Sequence, residues 1–246
     1  MKKCLNFILF AIPLHLIAAN VAPLSPQGKD SSVQDETKVV CRYSNGDRSH
    51  VINHLRTNKK LRVLDVGYSA STWSSEFTTH YVDIIPVDHA KVAFIGDINF
   101  PQVWDAVDED VSKNGPFDYC ICSHTLEDII NPVFVANMIN KYCKSGFVAM
   151  PSKFLEMTRG IDGNYRGYIH HRYIYNIENN QLVGYPKLNF IEHDSRFDAL
   201  ANQYSSDKAE IQVYWDGGFR LTIVNDNFMG PTVKSVLNYY NRLLTN

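Results

Sequence analysis

One short segment constrains the fold of this chain more than any other: residues 61–67, with the sequence Leu-Arg-Val-Leu-Asp-Val-Gly. It is an apolar run that ends at Gly67, and polar residues follow from Ser69 onwards. This pattern is typical of a buried strand whose carboxyl end faces a ligand at the edge of an open α/β sheet. Gly67 allows a tight turn and a close approach of the backbone to that ligand. A plain core strand followed by a glycine turn explains the same residues.

The segments that follow alternate between strand-like and helix-like patterns, as in a parallel sheet. A loop or a short helix is expected over residues 68–79, which are rich in serine and threonine. The further predicted strands are residues 81–86, 92–95, 117–123 and 147–150, and the predicted helices are residues 101–113, 131–144 and 231–244. Two β-rich segments, residues 211–215 and 219–224, flank Asp216-Gly217-Gly218, which predicts a hairpin. The expected fold class is therefore α/β: a Rossmann-like, doubly wound, mostly parallel sheet with an antiparallel carboxyl-terminal hairpin.

Composition and charge exclude some classes of protein. Apolar residues make up 45% of the 246 residues, which is enough for a core. The formal net charge is −2, so no basic excess is present to neutralise a phosphate backbone, and a nucleic-acid partner is not expected. Cys120 and Cys122 lie two residues apart in an apolar run, which predicts small buried side chains on one face of a strand.

The amino terminus has the order of a secretory signal peptide. Two lysines precede an apolar run over residues 4–19, and small residues follow at Ala18, Ala19 and Ala22. We therefore expect a signal peptide or an uncleaved membrane anchor over residues 1–22, a linker over residues 23–45 and one domain over residues 46–246. An ordinary buried helix over the apolar run is the alternative. Secretion or membrane anchoring follows if this leader is real, and a cytoplasmic location otherwise; a membrane contact is expected only through an uncleaved leader.

Acidic residues stand at the predicted ends of three strands: Asp65, Asp83 and Asp97. An acid at about the distance of Asp83 from Asp65 binds a ribose diol in nucleotide-binding α/β folds, because a carboxylate accepts two hydrogen bonds at once. A surface acid at a strand end is the alternative for Asp83. Gly67 is not part of a G-x-G-x-x-G pattern, so the cradle for a pyrophosphate is missing. The sequence therefore favours an adenosyl cofactor over NAD or ATP.

With these residues in place, the sequence from Leu61 to His193 resembles the class I S-adenosylmethionine-dependent methyltransferases. The resemblance is closest over residues 117–129, with the sequence Phe-Asp-Tyr-Cys-Ile-Cys-Ser-His-Thr-Leu-Glu-Asp-Ile. It is similar to the fourth motif of the type 11-like small-molecule branch, in which a strand ends in Ser-His-x-Leu-Glu-His/Asp. Asn131-Pro132 and Lys144-Ser145-Gly146 stand where that branch has a proline-capped helix and a Lys-x-Gly turn. The first motif departs from the family, because its second and third glycines are absent.

The resemblance implies S-adenosyl-L-methionine as cofactor. Asp83 matches the acid expected at the ribose, and Gly96-Asp97-Ile98 resembles the segment whose acid faces the adenine amino group. The expected cofactor-binding residues are Asp65, Gly67, Ser69, Asp83, Asp97 and Ser123.

The acceptor side has less specific signals. The candidates for a general base or another catalytic role are His124, Glu127, His170 and His171, with Asp128 beside them. Residues 151–172 form a long, glycine-punctuated polar segment, as expected of a substrate-binding lid. His170-His171-Arg172 is suited to an anionic or sugar-like acceptor, although these histidines could also only hold the loop. These residue types can bind metals, but no recognised ligand spacing occurs, so no metal site is predicted.

Three functions remain open on the sequence. The favoured one is a methyltransferase that acts on a small-molecule or glycan-like acceptor. The second is a catalytically inactive binding or accessory protein of methyltransferase fold, which the thin first motif and the leader support. The third is a metal-dependent hydrolase built on the same sheet.

Overall fold

Strands and helices alternate over most of the computed structural model, which describes residues 38–224 and 233–245. The strands of these residues are β1 (Lys38–Ser44), β2 (Val63–Val66), β3 (His80–Asp83), β4 (Val92–Ile95), β5 (Tyr119–Ser123), β6 (Ser145–Pro151), β7 (Tyr173–Glu178), β8 (Gln181–Pro186), β9 (Glu210–Asp216) and β10 (Leu221–Ile223). The α-helices are α1 (Ser49–Thr57), α2 (Pro101–Asn114), α3 (Pro132–Tyr142), α4 (Lys153–Met157), α5 (Asp198–Ala201) and α6 (Val233–Thr245).

Seven strands form the main sheet in the order β1-β9-β6-β5-β2-β3-β4. Strands β6, β5, β2, β3 and β4 are parallel, and β9 runs antiparallel between β6 and β1. The chain moves outward from β2 to β4 and then returns to β5 on the other side of β2. The strand order therefore reverses between β2 and β5, which is where open α/β sheets bind ligands. The expected Rossmann-like α/β fold is confirmed.

Local sequence explains the elements that the site depends on. All four residues of β2 are buried, as expected of a central parallel strand with both faces covered. Helix α3 begins after Asn131, whose side chain accepts the backbone N–H of Phe134, with Pro132 in the first turn. Residues 68–79 consist of turns, so β2 connects to β3 without a crossover helix. Cys120 and Cys122 are fully buried, as predicted.

The predicted carboxyl-terminal hairpin is wrong. Strand β9 pairs with β6 and β1, whereas β10 pairs in parallel with β8 in a second sheet of order β10-β8-β7. Gly217 and Gly218 have φ values of 78° and 127° and carry the chain away from β9. Asn140 of α3 then holds Phe219 through both of its backbone groups, at 2.7 and 3.0 Å. The Asp-Gly-Gly segment is thus a connection between sheets, although β9 itself is antiparallel as expected.

The predicted linker over residues 23–45 is wrong over its last part, because residues 38–44 form the edge strand β1. Its side chains alternate between exposed and half-buried, with Val39, Cys41 and Tyr43 facing the core. The linker prediction followed from the polar residues that precede this strand. The predicted leader and residues 23–37 lie outside the described residues. Among the helices of residues 38–224 and 233–245, none is long and apolar enough to cross a membrane.

The hairpin that does exist joins β7 to β8 through Asn179 and Asn180, whose φ values are 50° and 56°. Positive φ at both central residues is what a two-residue hairpin turn requires, and asparagine tolerates it. The second sheet is attached to the end of β5, because the buried hydroxyl of Tyr175 donates to the carbonyl of Leu126. The segment after β5 is thereby held between the two sheets.

Candidate active site

A cavity of about 470 Å³ opens at the carboxyl ends of β2, β3, β4 and β5. Its wall includes Gly67 after β2, Asp83 at the end of β3, Asp97 after β4 and Thr125 after β5. The volume lies in the usual range for small-molecule and cofactor sites, about 300–1,000 Å³. The cavity therefore occupies the place where the strand order predicts a ligand.

Gly67 is required by its geometry. Its φ is 78°, a left-handed conformation, and a Cβ placed there would lie 2.2 Å from Oγ1 of Thr125. The same Thr125 hydroxyl donates to the carbonyl of Val66 at 3.2 Å, while the N–H of Gly67 donates to Val82 at 2.9 Å. The turn after β2 is thus packed directly against the start of the segment after β5. No side chain fits between them, which leaves the backbone of Gly67 in the cavity wall.

Asp83 and Asp97 lie in the same cavity, at the ends of neighbouring strands, where the sequence predicted ligand-binding acids. Oδ1 of Asp83 accepts the N–H of Ile85 at 3.3 Å. Oδ1 of Asp97 accepts two hydrogen bonds from Asn99, at 2.9 Å from the backbone N–H and 2.7 Å from the side chain. Asn99, which the sequence did not single out, also accepts the N–H groups of residues 130 and 131. Both acids are therefore held in place while they remain half-buried beside the cavity.

Three of the predicted cofactor ligands, Asp65, Ser69 and Ser123, are not in the cavity wall. Asp65 lies within β2, 3% exposed, and accepts a hydrogen bond from Thr78 at 3.2 Å. Burial raises the pKa of Asp65 to about 7, although hydrogen bonds from Ser74 and Thr78 oppose the shift. Its contacts indicate that Asp65 holds the turns of residues 68–79. Ser69 is exposed among those turns, and Ser123 is half-buried at the end of β5.

His124 lies in the cavity wall between two carboxylates. Its Nε2 is 2.9 Å from Oε2 of Glu210, and its Nδ1 is 3.2 Å from Oε1 of Glu127, a contact close enough for an ion pair but not aligned as a hydrogen bond. Arg48 binds both oxygens of Glu210 at 2.5 Å. His124 itself has a φ of 55°. Charged side chains thus join three parts of the chain: His124 after β5, Glu210 at the start of β9 and Arg48 before α1.

These contacts set the charges of the group. Burial alone lowers the pKa of His124, but the carboxylates of Glu127 and Glu210 outweigh it and raise the pKa to about 9. Burial raises the pKa of Glu210, but hydrogen bonds from His124 and Arg48 outweigh it and bring the pKa to about 2. Burial raises the pKa of Glu127. His124 is therefore an imidazolium at neutral pH, and in this state it cannot serve as the general base that the sequence suggested.

The ion pairs of His124 should give stability that depends on pH. His124 has a raised pKa, so its contribution is complete below its unfolded pKa of 6.5 and is lost as pH rises through about 9. Glu210 has a lowered pKa, so its contribution is complete above 4.5 and is lost as pH falls through about 2. We expect His124→Gln to lower the free energy of unfolding by about 1 kcal/mol between these limits, a value discounted because the imidazole is half exposed.

Chemical denaturation of the wild type and of His124→Gln at a series of pH values checks this expectation. The difference in the free energy of unfolding should be largest from about pH 4.5 to 6.5 and should shrink toward pH 9. A difference that grows with pH would contradict the assigned charges. His89→Gln, at an exposed histidine in the loop after β3, is the matched control and should show no such trend.

A second group of polar side chains consists of Asp128, His170 and His171. Oδ1 of Asp128 lies 3.8 Å from Nε2 of His170 and 3.7 Å from Nε2 of His171. Nδ1 of His171 lies 2.7 Å from Oε1 of the buried Glu156, whose other oxygen accepts a hydrogen bond from Lys187 at 2.7 Å. The sequence proposed both histidines but not Glu156, which comes from α4. The structure thus brings together acceptor-side candidates from two distant segments.

This group also contacts a second cavity, of about 620 Å³, through His171. Asp128 and Arg172 line the first cavity, whereas His171 lines the second, together with Arg159, Tyr165 and Lys187. Most of the second cavity is built from the predicted lid and from the residues after β8. Two adjacent cavities that meet at titratable side chains can hold a donor and an acceptor of a transferred group.

The predicted lid is anchored by its own residues. Arg166 is 1% exposed and donates to the carbonyls of Met157 and Ile191 at 3.0 Å each. Its guanidinium also binds Asp198 at 2.5 Å. A Cβ at Gly167, whose φ is 57°, would lie 2.5 Å from Oε2 of Glu156. These contacts hold residues 158–172 against α4 and α5, so the wall of the second cavity is preformed.

Comparisons of the sequence and the fold with known proteins identify a family. A family model described as a methyltransferase domain matches residues 15–200. No curated protein matches the chain.

Solved structures similar to this chain include three methyltransferases. The first is MycE from the mycinamycin biosynthetic pathway, in complex with Mg, SAH and mycinamycin VI, with 16% identity over 78% of this chain and 54% of that chain and a TM-score of 0.35. The second is the plantazolicin methyltransferase BpumL, in complex with a monoazolic desmethylPZN analog and SAH. It is 10% identical over 70% of this chain and 82% of that chain, with a TM-score of 0.37. The third is an S-adenosylmethionine-dependent methyltransferase from Mesorhizobium loti. It is 13% identical over 74% of this chain and 72% of that chain, with a TM-score of 0.30. This chain spans about half the length of MycE.

Proposed function

Because this chain belongs to the methyltransferase domain family, as a class I S-adenosylmethionine-dependent methyltransferase, we propose that it transfers a methyl group from that cofactor to a small-molecule or glycan-like acceptor. The family expected from the sequence is confirmed, and with it the expected cofactor class. One observation carries the proposal: Asp83 and Asp97 share a cavity with the backbone of Gly67 at the point where the strand order reverses.

The charges that line the first cavity fit the cofactor in one orientation, with the adenosyl end at the two acids and the methionine carboxylate at two cationic side chains. Asp83 accepts hydrogen bonds from the ribose hydroxyls, and Asp97 accepts one from the adenine amino group. The backbone of Gly67 passes beside the adenosyl group, because no side chain intervenes there. Protonated His124 and Arg172, which line the same cavity, provide positive charge for the carboxylate of the methionine part.

Replacement of Asp83 tests this arrangement. We expect Asp83→Ala to weaken the binding of S-adenosylmethionine about 5- to 150-fold, since an unpaired ribose hydroxyl costs about 1–3 kcal/mol. Isothermal titration calorimetry measures the change. Asp105→Ala, at an exposed position of α2, is the matched control and should bind the cofactor as the wild type does. An affinity that is equal in all three proteins would show that Asp83 does not bind the ribose.

The acceptor occupies the second cavity, where Tyr165 offers an aromatic surface and Arg159 and Lys187 offer hydrogen-bond donors. Methyl transfer is an in-line displacement at the sulfonium, so its rate depends mainly on holding the two reactants in line. A hydroxyl acceptor must also lose a proton. Asp128 lines the first cavity and His171 lines the second, with 3.7 Å between Oδ1 of Asp128 and Nε2 of His171, and we propose that this group assists the loss of the proton.

The proposal is tested by incubating the protein with S-adenosylmethionine that carries a labelled methyl group and a panel of monosaccharides, phenols and other small hydroxyl compounds. Transfer of the label to at least one acceptor, with release of S-adenosylhomocysteine, is the expected result. Cofactor binding without transfer to any acceptor would favour the second function, a binding protein that has lost catalysis. The single glycine of the first motif is the observation that keeps this alternative open.

A further inference from the structure

We propose that Asp128, His170 and His171 bind a divalent transition-metal ion at the boundary between the two cavities. Each offers one ligand atom, and these atoms all lie within 4.8 Å of one another. Metal bonds to imidazole nitrogen and carboxylate oxygen are about 2.0–2.2 Å long. Small rotations of the side chains therefore suffice to bring the three atoms onto one ion.

The surroundings of His171 are those of a metal ligand. Its Nδ1 lies 2.7 Å from Oε1 of Glu156, which is 1% exposed. Lys187 fixes the other oxygen of that carboxylate. When Nδ1 donates its proton to Glu156, Nε2 carries the lone pair, and Nε2 is the atom that faces Asp128. A carboxylate that orients a histidine in this way is the usual second partner of a metal-binding imidazole.

The charges around the group also favour a cation. Asp128 and Glu156 place two carboxyl groups beside the two histidines, and Lys187 directly compensates only Glu156. A bound ion would offset part of this negative charge.

An ion can reach this position. The side chain of His170 is 60% exposed and that of Asp128 is 42% exposed, so both remain in contact with solvent. Two imidazoles and one carboxylate suit ions such as zinc, iron or cobalt better than magnesium, which prefers oxygen ligands. Three ligands from the protein leave at least one position open for a water molecule or an acceptor oxygen.

The role of the ion in catalysis, unlike its binding, rests on the function proposed above. An acceptor hydroxyl that takes the open position would have its pKa lowered by the ion, and its proton would pass to water in the cavity. The oxygen would then form a bond to the methyl carbon while the carbon–sulfur bond breaks. The electron pair of that bond stays on sulfur and leaves neutral S-adenosylhomocysteine.

Titration of the purified protein with Co²⁺, followed by visible absorption, tests the inference directly. We expect one saturable site in the wild type, and affinity at least about tenfold lower in His170→Ala and in Asp128→Asn, because each loses a ligand. His170 is exposed, so its replacement should leave the fold intact, which circular dichroism verifies. His89→Ala removes an exposed histidine elsewhere and should bind Co²⁺ as the wild type does.

Absence of a saturable site in the wild type would overturn the inference, and so would affinities unchanged in both ligand variants. The same preparation is also titrated with S-adenosylmethionine. Cofactor binding without Co²⁺ binding would reject the metal site and leave the proposed function standing. Co²⁺ binding without cofactor binding would support the metal site and reject the proposed function.

Discussion

Asp128→Asn is expected to lower kcat for methyl transfer about 10²- to 10⁴-fold, the usual contribution of groups that assist proton removal. The carboxylate of Asp128 lies in the wall of the first cavity, and its Oδ1 is 3.8 Å from Nε2 of His170 and 3.7 Å from Nε2 of His171. Asparagine has nearly the same shape but cannot hold a proton or a negative charge. The substitution therefore keeps the packing but removes the negative charge and the proton acceptor at this position.

Steady-state kinetics and cofactor calorimetry on the same variant distinguish this effect from a loss of binding. The loss should appear in kcat, with much smaller changes in the KM of the acceptor and the Kd of the cofactor. The side chain of Asp128 is 42% exposed, so global unfolding is not expected. Asp105→Asn on the exposed face of α2 is the matched control. A kcat unchanged in Asp128→Asn would remove this residue from the reaction.

Gly67→Ala is expected to lower the free energy of unfolding by about 2–5 kcal/mol and to abolish cofactor binding. Two costs combine at this position. Alanine is strained at a φ of 78°, and its Cβ would lie 2.2 Å from Oγ1 and 2.7 Å from Cγ2 of Thr125. Any relief of this clash moves the turn after β2 or the segment after β5, and both form the wall of the cofactor cavity.

Gly115 provides a matched control, because its φ is 79° and nothing lies within 4 Å of a Cβ placed there. Gly115→Ala therefore has the strain without the clash, about 1–3 kcal/mol. The double variant Gly67→Ala/Thr125→Ala removes both atoms of the clash and should recover part of the lost stability. Urea denaturation of the wild type, the two single variants and the double variant separates the cost of backbone strain from the cost of the clash. Equal losses in Gly67→Ala and Gly115→Ala would contradict the close approach of Thr125.

The central part of the fold could be predicted because its signals are local. The buried run of β2, the β-branched residues of β4 and the Asn-Pro start of α3 each depend on a few adjacent residues. Strand β4 has the predicted bounds, Val92–Ile95. The placement of Asp83 and Asp97 in one cavity could be predicted for the same reason, since the ends of parallel strands meet at one edge of the sheet.

Long-range pairing explains what the sequence did not predict. Strand β1 forms on β9, which lies far along the chain, so the local sequence, next to a polar stretch, predicts a linker instead. The Asp-Gly-Gly segment has hairpin residues, but Asn140 of α3 draws the following residues to another sheet. Neither partner is visible in the local pattern.

The same limit applies to the site. His124 resembled a general base, but Glu210 of β9 and the buried Glu127 hold it in its charged form. Asp65 resembled a cofactor ligand, but its side chain is turned toward Thr78 inside the fold. The proposed metal ligands have no recognised sequence spacing, because Asp128 lies 42 residues before the adjacent His170 and His171 and only the folded chain brings them together.

The cavity at the carboxyl ends of β2 to β5 is the proposed binding site of S-adenosylmethionine. Calorimetric titration of the purified protein with the cofactor measures this binding. The expected result is saturable binding of one equivalent, with a Kd below about 1 mM, that is weakened in Asp83→Ala and unchanged in Asp105→Ala. Absence of binding at millimolar cofactor to the folded wild-type protein would show that this cavity is not a cofactor site.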